Sequence, residues 1–324
     1  MPPAKILVEN IRLFCYHLGM RKIKVAVIGV GHLGSIHAKI YREIETCSLI
    51  AGCDIDKVRL KQISTDLGVE GYIDYKDLFK KIDAASVAVP TKLHYKITKD
   101  LLNHNIHVLV EKPFTTHLKE ADTLIEIAKK RKLILQVGHI ERFNSAFSAT
   151  QKLIKDPKFI ECHRLSPFPH RSLDIGVVLD LMIHDIDIVL GLVNSTLKKI
   201  EAVGVPVLTK FEDIANARLT FKNGCVCNLT ASRVSDEWMR KIRIFLKQAY
   251  ISLDYKNEEA FIYKKTTSGI SKETLPIEKE QPLKRELASF IDCIIQDKPP
   301  LVCGEVAREA LALALDIQKL IWKK

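Results

Sequence analysis

A chain of 324 residues, 47% hydrophobic and 27% charged, is long enough to bury two cores and reads as globular rather than disordered or fibrous. No apolar run approaches the roughly 20 residues that span a bilayer, so no membrane role is expected. The net charge of +11 is spread along the chain without a dense basic block, which suits solubility and anionic small molecules and argues against a nucleic-acid partner.

The opening MPPAKILVENIRLFCYHLG lacks the basic start, unbroken apolar middle and small-residue cleavage site of an export signal. Met20 stands directly before the first strongly patterned segment. Residues 1–20 are therefore read as an extension, with translation starting at Met20, residues 1–19 poorly ordered and the protein in the cytoplasm. The eight cysteines show no paired spacing of a zinc site. Cys225 and Cys227, two apart on a strand, point the same way and read as core filling. Reduced thiols are the default without export.

From residue 21 to 140, short β-rich runs alternate with helical periodicity. The strands are KVAVIG (24–29), SLIAGC (48–53), AASVAV (84–89), HVLVE (107–111) and LILQVG (133–138). Between them lie HAKIYREIE, DKVRLKQISTDL, HYKITKDLLNHN and LKEADTLIEIAKKR. Strand alternating with helix predicts a parallel sheet covered on both faces. Over 141–324 the pattern changes to a helical FNSAFSATQKLIKD, a strand FIECHRL and a helix through GVVLDLMIHDID (176–187). Strands follow at KKIEAVGVPVL, IANARLTF, CVCNLTASRV, RKIRIFLK, AYISLDY and AFIYKK. Consecutive strands without intervening helices should pair antiparallel. LKRELASFIDCIIQ and EVAREALALALDIQKLIW close the chain as helices.

VAVIGVGHLGSIHA places Gly29, Gly31 and Gly34 in GxGxxG spacing between the first strand and a helix. The first glycine permits a tight turn, the second lets backbone approach a pyrophosphate, and the third lets helix pack closely on strand. The helix N-terminus offers unpaired N–H groups to the anion. Asp54, at the end of the second strand, can accept bonds from an adenosine ribose and repels a 2′-phosphate, which favours NAD over NADP. Asp56 is assigned as the cap of the next helix. Arg59, one turn into that helix, could swing back to accommodate a 2′-phosphate, so NADP stays open.

HVLVEKPFTTH ends the fifth strand with Glu111, Lys112 and Pro113. Strand carboxyl ends are where ligands sit in an open α/β sheet. Beside a cationic ring, and partly buried, Lys112 would lose basicity and could take or share a proton. In GVVLDLMIHDID an α-helical advance of about 100° per residue puts Asp180, His184 and Asp187 on one face and Asp185 elsewhere. This face could form an acid/base pair, the wet side of an ordinary helix, or a metal site. With no separate metal-ligand motif, the metal reading ranks third.

In GVGHLG (29–34), CDID (53–56), AVPTKLH (88–94), EKP (111–113), GHIERFN (138–144) and DLMIH (180–184) the chain resembles the Gfo/Idh/MocA oxidoreductase family, from residue 22 to about 322. The resemblance implies an α/β Rossmann domain holding NAD(P) over 21–140. A C-terminal α+β domain with a large open, mostly antiparallel sheet would follow over 141–324, carrying substrate and often mediating a homo-oligomer. It makes Lys112 a catalytic lysine and Asp180 and His184 the substrate-binding and proton-transfer pair. It puts Gly29, Gly31, His32, Leu33, Gly34, Asp54, Arg59 and Glu111 in the cofactor site, with Pro90, Thr91 and His94 at its nicotinamide end. GHIERFN and AVGVPVLTKFEDIANARLTFKNGC look most like the branch of UDP-N-acetylglucosamine 3-dehydrogenases that feed lipid A pathways, which implies a UDP-sugar substrate. The segment GVVLDLMIH lacks the glycine-rich approach common in the family before its DxxxH, which bears on substrate identity more than on chemistry.

His184 starts closest to working pH among candidate bases, and Lys112 is the alternative base. A nucleotide sugar needs donors for its diphosphate. Arg142, Arg164, Arg171 and Arg233 lie in suitable segments; Arg142 and Arg171 are preferred, with Asn144 beside them. Asp187 reads as a supporting partner or a structural hydrogen bond. Oxidation of a free sugar or inositol, and a non-catalytic NAD sensor, remain the alternatives. A hydrolase has no nucleophile motif such as GxSxG to support it.

Overall fold

The computed structural model describes residues 21–169 and 174–323. The extension over 1–20 and Arg171 lie outside the described residues. The chain forms two compact units: residues through Glu111 with Glu126–Gln136 and Leu287–Pro300, and Lys112–Ile125 with Val137–Glu286 and Leu301 onward. This division follows packing, so it departs from the single boundary at residue 140 drawn from the change in pattern.

In the first unit and the segments leading from it, β1 (Ile23–Ile28), α1 (His32–Glu43), β2 (Cys47–Cys53), α2 (Lys57–Leu67), β3 (Glu70–Tyr72), β4 (Ala84–Val87), α3 (His94–Asn103), β5 (His107–Glu111), α4 (Leu118–Arg131) and β6 (Leu135–Gly138) follow one another. The sheet order is β3-β2-β1-β4-β5-β6. β1 runs parallel to β2 and β4, as β2 does to β3 and β4 to β5. Residues 84–87 are buried throughout, as expected of a central strand with helices on both faces. The order reverses between β1 and β4, and the carboxyl ends there are where such sheets take ligands. The sequence pattern missed β3, since three residues are too few to show a period.

The second unit carries α5 (Ser145–Gln151), β7 (Phe159–Leu165), a π-helical turn over Val178–Met182, α6 (Ile183–Val193), β8 (Leu197–Val205), β9 (Ile214–Phe221), β10 (Val226–Ser232), β11 (Met239–Phe245), β12 (Ala249–Asp254), β13 (Glu259–Thr266) and β14 (Gly269–Thr274). α7 (Pro282–Gln296) and α8 (Gly304–Trp322) end the chain. The eight strands are ordered β14-β13-β12-β11-β7-β10-β9-β8. All described pairs are antiparallel except β7 with β10, which is parallel. Antiparallel pairing of consecutive strands therefore fails at one place, where β7 lies between β10 and β11. The connection over 233–238 is long enough to step across the roughly 10 Å of two strand spacings. Ile160 and Cys162 of β7, Ile242 and Ile244 of β11 and Leu229 of β10 point to the covered face, where Met182, Ile183, Ile186 and Val189 join them in the core. No described helix is long and apolar enough to cross a membrane.

Candidate active site

The glycine loop leaves β1 through Gly29, whose φ of +85° favours glycine. A Cβ on Gly34 would lie 1.8 Å from the Gly29 carbonyl oxygen, so helix and loop touch backbone to backbone. Above Gly31, by contrast, a Cβ would meet nothing nearer than the Arg59 Nη1 at 3.8 Å. The N-cap Gly31 offers no side chain to the first-turn N–H groups of α1, which leaves a cradle suited to a pyrophosphate. His32 and Leu33 are exposed on that first turn.

Asp54 accepts from Val30 N at 2.9 Å through Oδ2 and from Asp56 N at 2.9 Å through Oδ1. It therefore ties the glycine loop to the end of β2. Asp56 caps α2, accepting from Val58 N and Arg59 N, and holds the Arg59 Nε at 3.2 Å. Pro90 and Thr91 follow β4 with little cover. His94 is buried and bonds the Val89 carbonyl at 2.9 Å, so its ring braces the end of that segment. Glu111, at the end of β5, meets the buried His37 Nε2 of α1 at 3.1 Å.

In the second unit, the Lys112 Nζ donates to the Asp180 carbonyl oxygen at 2.6 Å and to its Oδ1 at 2.8 Å. Asp180 sits in the π turn, where wider i to i+5 winding replaces the expected α-helical face. His184 lies one turn on, with its ring edge to His139 at 6.1 Å between centroids. Its Nδ1 is buried without a hydrogen-bond partner among the described residues. Burial, with Lys112, Arg164, His139 and Arg240 nearby, pushes the imidazole well below the usual histidine range. His184 is accordingly neutral at neutral pH.

The remaining carboxylates of this helix are held by buried arginines. Arg142 grips Asp187 from Nε to Oδ2 at 2.6 Å and from Nη2 to Oδ1 at 3.0 Å and the carbonyl at 2.7 Å. Arg164 binds both oxygens of Asp185, at 3.0 and 2.9 Å, and Glu141 at 2.7 Å. All these side chains are buried, so α6 has no wet side over Ile183–Val189. Among the described residues no group of three His, Cys, Asp or Glu is placed to hold a metal ion.

Two residues expected at the substrate are engaged within the protein. The Arg142 guanidinium is engaged by Asp187, because a cation this deeply buried requires a carboxylate. Asn144 caps α5 through Oδ1, accepting from Ala146 N and Phe147 N, and its Nδ2 donates to the Tyr255 carbonyl. Arg164 and Arg233 are likewise committed, Arg233 to Asp213 at 2.7 Å. The sequence reading did not single out His139 or Glu141 within GHIERFN. Their burial, which periodicity does not reveal, distinguishes them.

A six-stranded parallel sheet with a phosphate cradle at its switch point, and a separate lysine, aspartate and neutral histidine group, define an NAD-dependent oxidoreductase. Residues 23–139 match the oxidoreductase family with an NAD-binding Rossmann fold, and residues 140–252 match the GFO/IDH/MocA C-terminal domain. The chain belongs to the Gfo/Idh/MocA family.

It is 36% identical to the UDP-N-acetylglucosamine 3-dehydrogenase of Acidithiobacillus ferrooxidans over 92% of this chain and 97% of that one. A structure of that enzyme superposes with a TM-score of 0.89 over 93% and 98% of the two chains. The myo-inositol 2-dehydrogenase of Thermotoga maritima is 27% identical over 93% of this chain and 97% of its own. The fold also matches a scyllo-inositol dehydrogenase from Lactobacillus casei with bound NAD(H), at a TM-score of 0.80 and 21% identity over 94% and 98% of the chains.

Proposed function

We propose that the protein oxidises a secondary hydroxyl of a nucleotide sugar with NAD, and that the substrate is UDP-N-acetylglucosamine, converted to its 3-keto sugar. The observation that carries the reading is the contact of Lys112 with Asp180 beside a buried, neutral His184. Identity of 36% to a UDP-N-acetylglucosamine 3-dehydrogenase over almost the whole of both chains supports the substrate.

Bound NAD supplies the acceptor for the hydride of the carbinol carbon. Gly29, Gly31 and the first turn of α1, with His32 and Leu33, would hold its pyrophosphate, and Asp54 its adenosine ribose. Pro90 and Thr91 would line the nicotinamide end. The Lys112 ammonium gives two N–H groups to Asp180 and keeps the third for the reacting oxygen. His184, neutral and adjacent, takes the hydroxyl proton, while Lys112 stabilises the negative charge that develops on the oxygen. Asp180 holds the lysine in place. Copies of the chain would join through the open face of the second sheet, where Val203 and Val205 are about half exposed.

A second reading, oxidation of a free cyclitol, is favoured by the 27% identical inositol dehydrogenase. The test is a screen of UDP-sugars, free sugars and inositols for NADH absorbance, with NAD and NADP in parallel. Signal with UDP-N-acetylglucosamine and NAD is expected. Signal with inositols alone moves the conclusion to the second reading, and none with any of them supports a non-catalytic NAD sensor.

A further inference from the structure

Just ahead of β9 the side chain of Glu212 is fully buried, and a carboxyl group is costly to bury unless donors meet it. We propose that Glu212 is a positioning residue for the reaction: it fixes the backbone of the π turn that carries Asp180, and through Asp180 it aims the Lys112 ammonium. The proposal rests on the dehydrogenase chemistry proposed above for Lys112 and His184, whichever sugar is oxidised.

The donors come from two directions. The Gln318 Nε2 donates to Oε1 at 2.8 Å and the Trp322 Nε1 to Oε2 at 3.2 Å; these two residues stand one turn apart on the same face of α8. Val178 N, at the start of the π turn, donates to Oε1 at 3.4 Å, and Val177 N donates to the Glu212 carbonyl at 2.9 Å. Gly176 lies directly against the carboxyl group, since a Cβ there would overlap both of its oxygens. The next residue, Asp213, holds Arg233, whose Nη1 donates to the Ile175 carbonyl at 2.8 Å. Residues 175–178 are thus held at consecutive points by Glu212 and its neighbour.

That segment decides where Asp180 stands. Asp180 N donates to the Gly176 carbonyl at 3.0 Å, so the clamped glycine is the anchor of the residue that meets Lys112. The Lys112 Nζ bonds the Asp180 carbonyl at 2.6 Å as well as its Oδ1 at 2.8 Å. Because the ammonium is tied to backbone as well as to side chain, a shift of the turn moves it whatever rotamer Asp180 adopts. A π turn is a rare, wider winding that recurs as a single turn at functional sites. Misplacing a reacting group by about 1 Å can cost on the order of 100-fold in rate, so a clamp on Gly176 has leverage on the chemical step. Gly176 is the glycine that GVVLDLMIH keeps ahead of Asp180, and the space it leaves is the space the Glu212 carboxyl fills.

The test uses the full-length enzyme and two readouts: amide hydrogen exchange over residues 176–182, which needs no turnover, and steady-state kinetics with UDP-N-acetylglucosamine and myo-inositol. In Glu212→Gln, kcat should fall about tenfold, on the order of one lost hydrogen bond, and exchange over 176–182 should quicken by a similar factor. The KM for NAD should stay within about threefold, a loss in kcat alone being the mark of a misplaced reacting group. Gln318→Leu with Trp322→Phe strips two donors from the carboxyl group and leaves Glu212 in place, and it should reproduce the loss in kcat. In a Lys112→Met background, adding Glu212→Gln should cost less than about twofold, because the group that Glu212 aims is gone. A tenfold loss in both backgrounds overturns the proposal and leaves Glu212 a residue of the fold alone; so does a wild-type kcat in Glu212→Gln despite faster exchange. A wild type that turns over no UDP-sugar, free sugar or inositol overturns the dehydrogenase reading, and this proposal with it.

Discussion

Replacing Arg142 by alanine separates a structural clamp from a substrate contact. The wild-type guanidinium makes three hydrogen bonds to Asp187, at 2.6, 2.7 and 3.0 Å. Both side chains are buried, at 8% and 1% exposure. A Cβ on Gly191 would lie 2.2 Å from the Arg142 Nη1, so the guanidinium also fills the space beside α6 that glycine leaves. Removing it leaves the Asp187 carboxylate deep in the protein, with the His139 Nδ1 still 4.0 Å away. Breaking one partner of such a pair costs about 3–5 kcal/mol. At roughly 2–4 °C per kcal/mol for a unit of this size, Tm should drop by about 10 °C. Urea unfolding followed by tryptophan fluorescence measures the loss, and steady-state kinetics below the transition measures function. Arg142→Met with Asp187→Leu should regain much of the stability, because no charge is then stranded. A stability within about 0.5 kcal/mol of wild type, coupled with a raised KM for the sugar, would refute the clamp and restore Arg142 as a substrate residue.

Lys112→Met should lower kcat by about 10²–10⁴-fold with NAD binding retained, measured by NADH absorbance and by fluorescence titration of the cofactor; normal turnover would end the proposed mechanism. His184 has its folded pKa lowered below the unfolded value of about 6.5. The acid limb of kcat/KM should therefore fall below pH 6.5. Between these two pKa values the unfolded chain binds the extra proton, so stability should decline as pH drops from about 6.5 towards the folded pKa. His184→Gln should flatten that decline in urea midpoints taken across pH; an unchanged slope contradicts the burial assigned to the ring. Asp54→Ala should raise KM for NAD by about tenfold or more, as the loop loses its tie at Val30 N and the ribose its acceptor. The change should be smaller for NADP, and Arg59→Ala should affect NADP more than NAD; equal changes for both cofactors would remove these two residues from cofactor choice.

The parallel sheet was legible because its strands are continuous apolar runs punctuated by glycine and separated by amphipathic helices. The second sheet was legible strand by strand, since FIECHRL and IANARLTF alternate at period two. Its order was not, because a local pattern does not say that β7 enters between β10 and β11. Asp56 as a helix cap followed from position alone, as caps act over three residues. Asn144 illustrates the opposite case, since its place in GHIERFN does not say that it also bonds the Tyr255 carbonyl far along the chain.

Sequence by itself determined the elements, the glycine loop and its acid, and the lysine, aspartate and histidine that resemble a dehydrogenase site. These depend on neighbours close along the chain, or on a spacing that chemistry constrains. Tertiary structure decided which charges are available. Asp180 meets Lys112 across 68 residues, while Asp185 and Asp187, from the same helix, are taken by Arg164 and Arg142. A carboxylate has the same letter whether it faces a substrate or a buried guanidinium, and only burial together with the partner at 3 Å or less separates the two.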